Sequence, residues 1–265
     1  MIRKLVPTIF GACVMVFLIG PILAILPLAF TSNAFLTYPI HELSLRWFQT
    51  LVADESWHRS IVNSLIIGIC STSLATVLGT MAALGLRGKR LPFASAIRTV
   101  CLLPMVVPAV VLGVGTQIVF GRMGIANTYS GVVAAHTVLA LPFVLLNVLG
   151  SLSAIHPSLE RAASSLGAKP LGIFFRVILP LAMPGILSGA VFAFATSLDE
   201  VVITLFVAGP NQCTLALQMF SNLRENITPA VTAAAFILIL GTMTLIGATA
   251  LGKAGLKRSA RTKPA

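Results

Sequence analysis

Residues 159–180 read LERAASSLGAKPLGIFFRVILP. This is the only long segment between two strongly apolar regions that mixes basic residues, small residues and a glycine turn. Ala162, Ala163 and Leu166 fit one helical turn; Gly167 ends it, and Pro170 forbids simple continuation. A second amphipathic piece follows, with Phe174, Val177 and Ile178 apolar and Arg176 polar, closed by Leu179-Pro180. The pattern predicts a short helix, a glycine turn and a second short helix: a compact knob outside the lipid over residues 155–180.

The regions on either side explain why such a knob must sit at a membrane. Of 265 residues, 57% are hydrophobic and 9% charged, with a mean hydropathy of +0.99. Soluble domains carry roughly a quarter charged residues, which excludes an ordinary soluble protein. The expected fold is all-α and polytopic, a single transmembrane domain over 1–265. Six spans fall at about 7–30, 61–86, 99–120, 131–152, 181–198 and 227–252, with a basic, mobile tail at 253–265.

The first apolar stretch reaches Phe30, longer than a signal core, and no small-x-small site ends it, so it reads as a retained span, with a cleaved signal as the alternative. Trp47 and Trp57, beside a span, suit the lipid interface. In the second span Gly68, Thr72, Thr76 and Thr80 share one face, for close packing or, alternatively, a polar pathway lining. Pro104 and Pro108 interrupt the third span twice, so it is expected to be kinked or partly unwound, which lipid tolerates only inside a packed bundle. His136, without an acidic partner in its span, reads as a packing or interface residue, a proton relay being the alternative. A Gly209-Pro210-Asn211 turn and a short amphipathic helix near 215–223 precede the last span.

The net charge of +11 raises the question of nucleic acid. The basic residues fall in short segments between uncharged runs, without aromatic interleaving, and nucleic acid is not an expected partner. They act as an orientation signal instead. Fourteen of the eighteen Lys and Arg lie on the side of the termini and the knob, and six of the seven acids lie on the other. Basic loops stay in the cytoplasm, so both termini and residues 155–180 are expected there.

Cys13, Cys70, Cys101 and Cys213 share no metal-type spacing, and neither a metal site nor a disulfide framework nor a cofactor is expected. No G-x-x-x-x-G-K-[ST] phosphate loop, nucleophile elbow or HExxH motif occurs. No catalytic residue is assigned, and any ATP-derived energy must come from another chain. Asp199 and Glu200, adjacent carboxylates ending an otherwise uncharged helix, are the candidates for touching cargo; they would favour cations, unless the helix end simply meets water.

The 159–180 stretch resembles the loop of binding-protein-dependent ABC importer permeases: Glu-Ala-Ala, three residues, Gly, nine residues, Ile-x-Leu-Pro. Ala162, Ala163, Gly167, Leu179 and Pro180 match, Val177 replaces the isoleucine, and Arg161 stands at the acidic position with Glu160 one residue early. Asn63-Ser64-Leu65 is also similar to that family. Residues 197–229, SLDEVVITLFVAGPNQCTLALQMFSNLRENITP, resemble its spermidine/putrescine branch in the Ser-x-Asp-acid pair, the Phe-Val-x-Gly-Pro turn and the Phe-Ser stretch.

The resemblance implies a bacterial inner-membrane permease, working with a second homologous permease, two cytoplasmic ATPase subunits and an extracytoplasmic solute-binding protein. It assigns ATPase coupling to Glu160, Arg161, Ala162, Ala163, Leu166 and Gly167. Two other classes stand against it: an ion-coupled secondary transporter or channel, which should show midspan charge pairs or an internal repeat, and a non-transporting membrane anchor.

Overall fold

A computed structural model describes residues 2–88, 92–225 and 227–261. Among them the chain is helical, without a β-strand. In order the helices are α1 (Ile2–Ile25), α2 (Arg46–Ala53), α3 (Glu55–Arg87), α4 (Ala94–Val106), α5 (Ala109–Met123), α6 (Tyr129–Ser153), α7 (Pro157–Ser165), α8 (Pro170–Ile173), α9 (Leu179–Asp199), α10 (Val202–Val207), α11 (Leu215–Glu225) and α12 (Ala230–Arg261). Four apolar stretches are long enough to cross a membrane: Pro7–Phe30, Glu55–Arg87, Tyr129–Ser153 and Pro170–Asp199. A fifth crossing exists if the bent pair α4 and α5 counts as one, and the described apolar part of α12, Ala230–Thr244, is shorter.

The expected third span is a broken one. α4 and α5 meet at 109°. Only one of the two prolines makes the break: Pro104 lies within α4, whereas Val107, before Pro108, is extended (φ −73°, ψ 132°). The ring of Pro108 disfavours a helical Val107, and the helix stops there.

Two compact units are distinguished. The first comprises Met1–Arg59 and Gln218–Gly241. Within it Phe30, Phe48 and Phe236 form an aromatic cluster with centroids 5.1–5.8 Å apart. Trp47 and Trp57, expected at a lipid interface, are buried instead, and the Trp47 indole donates to the Asn33 carbonyl at 3.2 Å. The loop before α2 folds over them and supplies that acceptor. Asp54 caps α3, its Oδ1 accepting from the Ser56 hydroxyl and from the backbone N–H of Ser56 and Trp57; these bonds hold its carboxyl below the usual range. α1 buries none of its apolar span in protein, as suits a helix facing lipid or another subunit.

The second unit, Ser60–Leu217 and Thr242–Ala265, is built on α6 and α9. Glycines let these two helices approach closely. A side chain on Gly189 would begin 2.8 Å from the Val144 Cα, and one on Gly185 would strike Ser151 and the Asn147 carbonyl. Buried Ala140, Val144, Leu145, Val148, Leu152, Ala182 and Ala193 fill the seam, joined by Ala75 and Ala83 of α3. The last helix runs to Arg261, past the expected end at Gly252. Its Ala, Lys, Leu and Arg residues are good helix formers, so the basic tail continues the helix as far as it is described.

Candidate functional site

The 155–180 segment folds from a small set of local rules. His156 caps α7, its Nδ1 accepting from the Ser158 N–H at 3.2 Å, and Pro157 fills the first helical position. Gly167 closes the helix in the left-handed region (φ +83°). The Gly167 N–H donates to Ser164 O at 2.9 Å and the Ala168 N–H to Ala163 O at 3.0 Å, a Schellman pair. Nothing lies within 4 Å of a side chain built on Gly167, so the demand for glycine is purely conformational.

The expected second short helix is not closed at Leu179-Pro180. α8 passes through a widened, π-helical turn at Phe174–Ile178 directly into α9, giving one helical stretch from Pro170 to Asp199. The Leu179 N–H reaches back five residues to the Phe174 carbonyl. This widening just before Pro180 accommodates a ring that would clash in a regular helix. The second half of the knob and the fifth span are thus a single element.

Leu159, Ala162 and Leu166, at i, i+3 and i+7, form an exposed apolar stripe on α7, with Leu166 89% and the nearby Leu171 73% exposed. Arg161 is exposed; Ala163 is partly buried. Glu160 is turned away, its Oε1 lying 2.7 Å from Nη1 of Arg87 at the end of α3. The Arg87 guanidinium also donates through Nη2 to the Ile155 carbonyl at 3.0 Å, so one side chain grips the entry to the knob and its first turn.

The two acids at the end of α9 part company. Glu200, half-buried one residue beyond the apolar span, caps α10 by accepting from the Ile203 N–H at 2.7 Å. Burial pushes its carboxyl up, the bonds from Ile203 and Val202 oppose this, and the Asp199 charge adds to the rise. Asp199 is exposed and makes no ion pair among the described residues.

Sequence reasoning missed two buried polar knots, one of them beside these acids. His136, 1% exposed, places Nδ1 2.8 Å from the Ser197 hydroxyl and Nε2 2.9 Å from that of Thr204. Ser71 of α3 donates to Ser197 Oγ at 3.1 Å, and Thr204 donates to the Glu200 carbonyl at 3.0 Å. A neutral ring with its proton on Nε2 satisfies every member, ordering the bonds Ser71 to Ser197 to His136 to Thr204 to Glu200. The histidine is therefore a packing residue that ties α6, α9, α10 and α3 together.

The second knot is centred on Asn63, also 1% exposed. Its Nδ2 donates to the carbonyls of Asn211 and Cys213, both at 2.9 Å, and its Oδ1 accepts from the Tyr129 hydroxyl at 2.8 Å. Ser64 Oγ accepts from the Leu215 N–H at 2.7 Å. An amide within a predicted span was the signal that could have found it. Further along α3 the Thr72, Thr76 and Thr80 hydroxyls are buried without a hydrogen-bond partner. The described residues contain no cluster of metal-ligating side chains, and the four cysteines are free thiols.

The chain thus combines several apolar helices with an exposed helical knob whose second helix runs on into a span, the build of a membrane-embedded protein. The family model described as "Binding-protein-dependent transport system inner membrane component" matches residues 75–254, and the chain belongs to that family. It is 33% identical over 238 residues to the putrescine transport system permease protein PotI of Escherichia coli K12, covering 87% of this chain and 84% of that one. It is 30% identical over 256 residues to the spermidine/putrescine transport system permease protein PotC of the same strain, covering 95% of both. Among solved structures, a bacterial alginate ABC transporter bound to its periplasmic protein superposes with a TM-score of 0.67 at 17% identity, over 93% of this chain and 91% of that one. The inward-facing MetNI methionine transporter gives 0.63 at 19%, over 81% and 99%. These structural likenesses establish the fold. The chain is a permease subunit of an ABC importer and a multi-pass inner-membrane protein, not an enzyme; ATP hydrolysis belongs to a separate subunit.

Proposed function

We propose that this permease imports polyamines, with putrescine and spermidine as the leading cargo. The observation that carries this reading is the similarity to PotI and PotC over most of the chain, together with an exposed carboxylate at Asp199. An anion at the last residue of α9 opposes that helix's own dipole. Glu200 offsets the same cost by capping α10, whereas Asp199 has no such compensation and suits attraction of a cation. A second reading, import of another small solute by the same mechanism, is favoured by 30% identity to the molybdenum transport system permease protein ModB of Mycobacterium bovis. An oxyanion and an exposed carboxylate repel each other, so cargo charge separates the two.

In this reading the chain acts as one six-span domain over 1–265, with α4 and α5 as one broken crossing and α12 as the last. It works in a complex with a second homologous permease and two ATPase subunits, docks an ATPase through the knob at 155–180, and receives cargo from an extracytoplasmic binding protein. Both termini and the knob face the cytoplasm, in keeping with the basic residues there. Closure of the ATPases would push on Leu159, Ala162 and Leu166; the continuous helix from Pro170 to Asp199 and the Arg87 grip would pass that movement to α9 and α3 as a rigid-body switch. The test is uptake of labelled putrescine into proteoliposomes holding the permease pair, ATPase and binding protein. Uptake that requires ATP and is unaffected by molybdate supports the proposal. ATP-driven uptake of molybdate but not putrescine replaces it with the second reading.

A further inference from the structure

The charge pattern of the knob carries a consequence for its partner. Residues 155–180 contain four charged side chains: Glu160, Arg161, Lys169 and Arg176. The one acid is neutralised within the chain, 2.7 Å from Arg87, with side chains only 36% and 20% exposed. The three bases are all exposed and make no ion pair among the described residues. On α7, at 100° per residue, Glu160 lies about 100° round from Leu159 and Arg161 about 100° round from Ala162, on opposite sides of the Leu159–Ala162–Leu166 stripe. With Glu160 paired to Arg87, the charge that α7 leaves uncompensated among the described residues is the positive one of Arg161.

We infer that the knob docks into an apolar groove whose rim presents a carboxylate to Arg161. The partner is an acidic-rimmed face of the ATPase, not a basic one. The inference rests on the ATPase-docking reading of the knob, and adds the sign of the contact to it. The apolar stripe supplies contact area, and the exposed cation sets registry and speeds encounter, the usual role of a charge at an interface rim. Arg87 acts as a positioning residue: by holding Glu160 it keeps a like charge from meeting the acidic rim.

The experiment is a titration of the intact permease pair, in lipid nanodiscs, with its purified ATPase at low and high salt. The wild type should bind more weakly as salt rises. Arg161→Lys should bind within about twofold of wild type, Arg161→Gln should weaken binding and flatten the salt dependence, and Arg161→Glu should weaken it about tenfold at low salt. Wild-type binding that Arg161→Glu leaves equal or makes tighter overturns the charge assignment while sparing the docking reading. A wild-type pair that binds no ATPase at either salt overturns both. Because Arg161 is exposed, each variant should insert at wild-type levels, and Arg161→Gln keeps the test decisive should the reversal fail to express.

Discussion

The two ends of α3 are built on opposite physical plans. Near its start, Asn63 and Ser64 are buried and fully hydrogen-bonded to the 211–215 segment and Tyr129. At its end, about 36 Å from Asn63 at 1.5 Å per residue, Arg87 holds an exposed knob by one partly exposed ion pair and one backbone contact. A buried network fixes geometry because each unpaired member would cost its full desolvation. A half-exposed ion pair contributes little stability and yields readily. The first end holds helices together; the second leaves surface free for another protein and can move with it.

The sharpest way to break this contrast is Gly167→Val. A β-branched residue at φ +83° is strained by about 1–3 kcal/mol, and the turn is expected to refold. Uptake should fall at least about tenfold with thermal stability of the detergent-solubilised protein almost unchanged, because no buried contact is lost. Unchanged uptake with normal insertion would show that the knob's turn carries no force. Asn63→Ala should reverse the pattern. It removes three hydrogen bonds at a buried site, to the Asn211 and Cys213 carbonyls and from the Tyr129 hydroxyl, at about 0.5–1.5 kcal/mol each. The unfolding temperature should drop, while the knob still binds ATPase.

Arg87→Ala probes the link between the two plans. A half-exposed pair is worth about 1 kcal/mol or less, so stability should barely move, yet uptake per ATP hydrolysed should fall severalfold as the grip on Ile155 and Glu160 is lost. Equal uptake per ATP would remove Arg87 from transmission. Smallest of all is the difference between the acids. Asp199→Asn should raise the concentration of polyamine needed for half-maximal uptake by about threefold, whereas Glu200→Gln, whose amide oxygen can still cap α10, should change it less. The reverse ranking would place the cargo contact at Glu200.

These contrasts also mark what was legible beforehand. The knob could be read because its determinants are local: a helix closed by Gly167, and Pro170 opening the next. The continuity of Pro170–Asp199 could not, since a proline at 180 signals a break unless the preceding turn widens, and that widening has no residue signature. Of the two prolines expected to interrupt the third span, only Pro108 does so, because helix geometry tolerated Pro104 within α4. His136 was placed correctly as a packing residue. Its partners Ser197 and Thr204, and Ser71 beyond Ser197, come from three other helices, and no spacing along the chain announces them. The same holds for Arg87 and Glu160, separated by more than seventy residues. Asp199 and Glu200 read as a pair, and only the capping bond to Ile203 separates their roles.

The central claim is that the Leu159–Pro180 knob lies in the cytoplasm, within reach of an ATPase. Leu166→Cys, at the most exposed apolar position of the knob, allows a direct reading with a membrane-impermeant thiol reagent, set against the parent protein. The account predicts added labelling in inverted membrane vesicles, blocked when ATPase is bound, and none in intact cells. Added labelling from the outside of intact cells would contradict it.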